Sequence, residues 1–148
     1  MAVNPEIVGR VYPPTRPYLV GREKIREFAK AVFANNPISF DVVSARAAGH
    51  ADLVAPPTFP VIVQGRALAQ LVADPTTGIK PNNLVHSAEH ARSQRPVVAG
   101  DELSAVLTIV DVSPRGVNAL LVADVEIVDA IGDNVSTITS NLFVRGDR

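Results

Sequence analysis

The chain has 148 residues, 47% of them hydrophobic and 20% charged, with 14 Lys plus Arg against 15 Asp plus Glu for a net charge of -1. This length suits one domain with one core, and the composition excludes disorder, collagen-like repeats and membrane spans. A near-neutral chain has no field to gather nucleic acid or coat an anionic membrane, and the absence of cysteine removes disulfides, thiolate zinc sites and cysteine nucleophiles together.

The opening MAVNPEIVGR has no charged lead into an apolar stretch, so no secretory signal is expected. No apolar run approaches the roughly 18 residues of a spanning helix, and a soluble, cytoplasmic protein is expected. The 12 prolines are scattered and no segment repeats, which favours a single domain over residues 1–148.

Residues 16–20 (RPYLV) are short enough for a first strand. A helix is expected over 22–34, because Ile25, Phe28, Ala29, Val32 and Phe33 recur along one stripe with Glu23, Lys24, Arg26, Glu27 and Lys30 outside it. Asn35, Asn36 and Pro37 stop it. A polar segment over 41–48 then leads through Gly49 to Leu53-Val54-Ala55-Pro56-Pro57-Thr58-Phe59-Pro60. Thr58 is the expected N-cap of a second helix over 59–73, with Pro60 in its first turn. Only Gln64, Arg66 and Gln70 are polar there, so the helix is expected to be surrounded.

The remaining half reads as strands over 84–98, 102–112, 117–128 and 135–145, broken by AGD at Ala99, SPRG at Ser113 and GDN at Gly132. Alternation is visible in Leu103, Ala105, Leu107 and Ile109 and in Ile138, Ser140, Leu142 and Val144. One early apolar helix followed by antiparallel strands predicts an α+β fold whose simplest form is the hot dog, an antiparallel sheet wrapped around a long central helix.

The segment Asn35-Asn36-Pro37-Ile38-Ser39-Phe40-Asp41, followed by Ala45, Ala48-Gly49-His50 and Leu53 to Phe59, resembles the MaoC-like hot-dog hydratases. Arg95-Pro96-Val97-Val98-Ala99-Gly100-Asp101-Glu102-Leu103 is similar to that family's RPVxxGD entry into a strand. The resemblance runs from about residue 4 to residue 146. It implies a hot-dog dimer joined edge to edge, an acyl-thioester ligand on CoA or acyl carrier protein, and no cofactor or metal.

The departures point to a silent subunit. In catalytic members of the family the Asp and His of D-x-N-P-x-H move the proton and the water in reversible hydration of a trans-2-enoyl thioester; here those positions are Ala34 and Ser39. A methyl group exchanges no proton, and an unassisted serine hydroxyl titrates far from neutrality. The neighbours Asp41 and His50 form no recognisable triad with Ser39. A His-Gly pair that helps to hold the thioester oxygen in active members is replaced by Pro56-Pro57, and proline has no N–H to donate.

The pattern most resembles the non-catalytic subunit of heterodimeric (3R)-hydroxyacyl-ACP dehydratases of fatty acid elongation, which implies a catalytic hot-dog partner. No catalytic residue is therefore expected, and Asn36, Pro37, Ser39, Pro57, Thr58 and Phe59 are the candidate substrate-binding residues. A homodimeric acyl-thioester-binding protein without turnover is the alternative. A thioesterase using Asp41 or another carboxylate ranks below both.

Blander readings stand beside these. Asn36-Pro37 is also a plain helix stop, and Ser39 a structural hydroxyl bonded to nearby backbone. Phe59, Val61, Ile62, Val63, Leu68 and Leu71 are expected in the core. Arg92 and Arg95 read as a solvated face before they read as phosphate ligands. The string His86-Ser87-Ala88-Glu89-His90 matches H-x-x-E-H, but its strand-like setting speaks against the helical spacing that zinc requires.

Overall fold

The computed structural model describes residues 2–147. In chain order they form β1 (Tyr18–Leu19), α1 (Arg22–Ala31), α2 (Val42–Ala47), α3 (Val61–Ala73), β2 (Leu84–Ser93), β3 (Glu102–Arg115), β4 (Asn118–Val128) and β5 (Asn134–Val144), with short 3-10 turns at Pro5–Ile7 and Pro37–Ser39. The strands make one antiparallel sheet in the order β1-β3-β4-β5-β2.

Period-two burial builds that sheet. Leu103, Ala105, Leu107 and Ile109 of β3, Leu121, Val125 and Ile127 of β4, and Ile138, Leu142 and Val144 of β5 are buried on one face. Each large side chain removed from water there contributes roughly 1.5–3 kcal/mol. Against this face lies α3, with Val63, Ala67 and Leu71 fully buried over β3 and β4. The expected hot-dog architecture forms: a curled antiparallel sheet on a central helix.

Four expectations about the helices are corrected. First, α1 stops at Ala31, three residues early, because Phe33 adopts a left-handed φ of 58° and closes a Schellman turn: its N–H donates to Lys30 O at 3.1 Å and Ala34 N–H to Ala29 O at 2.8 Å. Val32 and Phe33 consequently leave the apolar stripe, and Phe33 is 92% exposed. Second, the polar segment over 41–48 is itself helical, forming α2 with Asp41 as N-cap and Gly49 (φ 93°) as its left-handed stop.

Third, α3 begins at Val61 with Pro60 at its N-cap position and no side-chain cap, so the Thr58 hydroxyl does not play the expected role. Fourth, α3 is covered on one side only. Gln64 is buried while Gly65, Arg66 and Ala69 are exposed, since the sheet curls around just one face and the small residues lie outside. Arg66 sits 4.8 Å from the centre of the Tyr18 ring on that outer side.

The edges of the sheet differ. β3 is covered in part by β1 and by an isolated bridge from Val11 to Thr108. β2 pairs with β5 alone, ends at Ser93 rather than continuing to 98, and is exposed along its length apart from half-buried Leu84. An uncovered strand of this length offers a row of unpaired backbone groups to another chain.

Candidate functional site

The Schellman turn at Phe33 sends the chain from α1 directly into Ala34. Two residues on, the Asn36 side chain accepts from Ile38 N–H at 3.2 Å and Pro37 opens the 3-10 turn, so Asn-Pro here is a built corner. That turn delivers Ser39 inward, where it is 4% exposed and its hydroxyl donates to Val54 O at 2.6 Å. The segment at Val54 is held in return: Val54 N–H donates to Ile38 O at 2.9 Å and Ala55 N–H to Val97 O at 2.8 Å.

Between these segments runs a groove of about 540 Å³. One wall is Ala34, Asn36, Ile38 and Ser39, the floor is Val54 to Pro57, and the other wall is Ser93 to Pro96. Among the described residues neither a carboxylate nor an imidazole lines it, and Arg95 is the one charged side chain there. The two positions of the family's acid–base pair, Ala34 and Ser39, thus share one groove, and Ser39 has its proton directed to a backbone carbonyl.

The other candidate residues fall in different places. Pro57 lines the groove; Pro37 is the first residue of its 3-10 turn. Phe59 is fully buried, with its ring 5.3 Å from Phe28 edge to face, so it packs the core beneath the site. Thr58 lies with Pro57, Pro60, Val61, Glu89, Ala91 and Ile138 around a smaller cleft of about 150 Å³. The cleft adjoins the groove through Pro57. Phe59, Val63 and Leu71 are fully buried, whereas Val61, Ile62 and Leu68 are only partly so.

Asp41 and His50 are both accounted for by helix ends. Asp41 accepts from the hydroxyl and the amide of Ser44, which hold its carboxyl below the usual carboxylate range. His50 follows Gly49, and its backbone N–H donates to Ala45 O to close α2. Arg95 is bound by carboxylates, to Asp101 at 2.8 Å and Asp129 at 3.2 Å, and Asp101 also accepts from Val98 N–H at 2.9 Å. The hydrogen bond to Asp101, more than that to Asp129, raises the pKa of Arg95. The RPVVAGD motif is therefore a clamp that ties the end of β2 to the entry of β3 and the β4–β5 turn, with the Arg95 charge matched twice.

The H-x-x-E-H string lies on β2, as a strand. A register shift between His86 and Ala88 places His86 and Glu89 on the helix side, opposite Leu142 and Ser140, while His90 pairs with Thr139 on the outer face. His86 Nε2 and Glu89 Oε1 are 4.0 Å apart. Here the chain does bring an imidazole and a carboxylate together, but four residues from Ser93, or roughly 13 Å along a strand, and outside the groove lining. Sequence reasoning missed that Glu89 is tied to the buried Gln64; the signal was an amide among the apolar residues of the helix.

Residues 6–138 match the family described as FAS1-like, dehydratase domain region. The chain belongs to that family. Among the relatives of this FAS1-like dehydratase-region chain, a UPF0336 protein of Leifsonia xyli is 58% identical over 98% of this chain and 97% of its own length. Another, from Clavibacter michiganensis, is 54% identical over 99% of both. Among solved structures, the C-terminally truncated HadBC (3R-hydroxyacyl-ACP dehydratase) complex of Mycobacterium tuberculosis superposes with a TM-score of 0.80 at 29% identity, over 93% of this chain and 96% of that one. A MaoC-like dehydratase gives a TM-score of 0.79 at 29% identity, covering 95% of this chain and 42% of the other. The MaoC-like resemblance and the hot-dog fold are thereby established for this member of the FAS1-like dehydratase region family. No helix among the described residues is long and apolar enough to cross a membrane.

Proposed function

We propose that this chain is the non-catalytic, substrate-channel subunit of a (3R)-hydroxyacyl-thioester dehydratase, completed by a second hot dog that carries the Asp and His. One observation carries the reading: Ala34 and Ser39 stand together in the groove, and the Ser39 hydroxyl is bound to Val54 O at 2.6 Å. General acid–base catalysis contributes typically 10²–10⁴-fold, and this groove lining holds no group to supply it. What it offers is an apolar slot walled by Ile38, Val54, Ala55, Pro56 and Pro57, suited to an acyl chain or a pantetheine arm.

The free edge of β2 is where the second domain joins, extending the sheet and closing the slot from the open side. Support comes from the HadBC likeness, a complex by its own description. The substrate is an acyl thioester on acyl carrier protein or CoA, the setting fatty acid elongation in the cytoplasm, and Asn36, Ser39 and Pro57 are the residues nearest the ligand.

The test is reconstitution. The purified chain alone should leave crotonyl-CoA and longer enoyl thioesters unhydrated, and mixing with a hot dog that retains D-x-N-P-x-H should give a complex whose turnover exceeds that of the catalytic chain alone by at least tenfold. Turnover by this chain alone would defeat the reading. Tight binding of an acyl thioester by a homodimer, with no gain on mixing, would favour the binding-protein alternative.

A further inference from the structure

The centre of the free edge holds a carboxylate that the groove does not use. Glu89 points to the helix side of β2, where its Oε1 accepts from Gln64 Nε2 at 2.7 Å and from the Ser140 hydroxyl at 2.8 Å, and Gln64 Nε2 also donates to Ser140 at 2.7 Å. Gln64 is 2% exposed and Ser140 fully buried, so the carboxylate is fixed from beneath. Its other oxygen accepts no hydrogen bond from any described residue, the side chain is 34% exposed, and His86 Nε2 at 4.0 Å lies beyond hydrogen-bond distance. Among the described residues nothing covers this oxygen. The carboxylate satisfies the buried amide and hydroxyl beneath it, while its free oxygen stays open to solvent for as long as the edge is uncovered.

The register of β2 says what happens if a second copy does. Nine residues of β2 pair with β5, with Ser87 bulged out, and they run Leu84, Val85, His86, Ala88, Glu89, His90, Ala91, Arg92, Ser93. Glu89 is the middle one. If a second copy lies antiparallel along the free edge with full overlap, Leu84 faces Ser93, His86 faces Ala91, and Glu89 faces the Glu89 of the other copy across the two-fold axis. The inward and outward faces agree at each of these pairs, and among the registers that keep this agreement and leave both helices on one side this one pairs all nine residues. Directly opposed side chains have Cβ atoms about 4.5–5.5 Å apart, and like charges there are destabilising. Closing the seam also strips water from both carboxylates.

We propose that Glu89, positioned by Gln64 and Ser140, sets partner choice: it disfavours pairing of this chain with itself and selects a hot dog whose own edge strand brings a hydrogen-bond donor, neutral or cationic, to the rung opposite. This rests on the reading of the chain as one member of an unlike pair and names the chemistry of the other member.

Sedimentation velocity at pH 8 tests the rule without knowledge of the natural partner, using the wild-type chain, Glu89→Gln, Glu89→Ala and Glu89→Lys, each checked for folding by circular dichroism. Self-association should be at least tenfold tighter for Glu89→Gln or Glu89→Ala than for wild type, and an equimolar mixture of wild type with Glu89→Lys should dimerise at least tenfold more tightly than either alone. Reading two charge-removing variants keeps one misfolded protein from deciding the result. Equal dimer constants across wild type and the neutral variants, or a mixture no tighter than its components, overturns the proposal. Turnover is not read here, so the charge rule can fail while the silent-subunit reading stands, and the reconstitution assay can fail while the charge rule stands.

Discussion

The Ser39 hydroxyl donates to the Val54 carbonyl at 2.6 Å across fifteen residues of sequence, joining the 3-10 turn after α1 to the floor of the groove. The same two segments are linked by Val54 N–H to Ile38 O at 2.9 Å, so the hydroxyl works as one rivet of a two-bond seam. The hydroxyl at this position serves the backbone.

Ser39→Ala should therefore act on stability. It leaves a buried carbonyl without its side-chain donor, and such an unpaired acceptor costs roughly 1–3 kcal/mol. Urea unfolding should show the midpoint fall with the slope unchanged, while partner-dependent turnover stays within threefold of wild type. A hundredfold loss of turnover at unchanged affinity for the partner would instead make Ser39 a reacting group.

Phe33 gives a prediction of opposite sign. It occupies a left-handed turn with φ 58° and its side chain is 92% exposed, so it bears backbone strain with little burial in return. Phe33→Gly relieves that strain, offset in part by the added freedom of the unfolded chain, and a net stabilisation of about 0.5 kcal/mol is expected. Thermal unfolding checks it. A destabilised variant would mean that the ring packs on something in solution.

Tyr12 predicts an alkaline limb. Burial first, and then its hydrogen bond to Asp74 at 2.6 Å, push the phenol up to about 12. The folded state thus holds the proton that the unfolded chain releases near the ordinary tyrosine value of about 10, so this stability is present below pH 10 and is lost as pH rises toward 12. The loss is on the order of 1 kcal/mol, because solvent screens part of the interaction. Denaturant midpoints measured between pH 9 and pH 12 should fall less steeply for Tyr12→Phe than for wild type; parallel curves would remove Tyr12 as the cause.

The strands were legible because one face of each is buried and the side-chain period is two. Leu103, Ala105, Leu107 and Ile109 alternate in the sequence for the same reason that they are all buried in the fold. The groove was half legible. Asn36, Ser39 and Pro57 line it, and Ala34 was recognised by what it lacks, but Phe59 belongs to the core and the wall from Ser93 to Pro96 arrives from another part of the chain. The end of α1 was hidden because its left-handed stop is a phenylalanine, a residue type that carries no turn signal.

The sequence by itself determined the alternating sheet, the apolar central helix and the loss of acid–base chemistry at positions 34 and 39, since each follows from residue type or from spacing along the chain. Only the tertiary structure decided that Arg95 is clamped between Asp101 and Asp129, and that Gln64, Glu89 and Ser140 meet at the middle of an open edge. Those contacts join residues 6 to 76 positions apart, and the second set depends on a single bulge at Ser87 that turns Glu89 toward the helix. Strand register, which no local pattern encodes, is the physical reason.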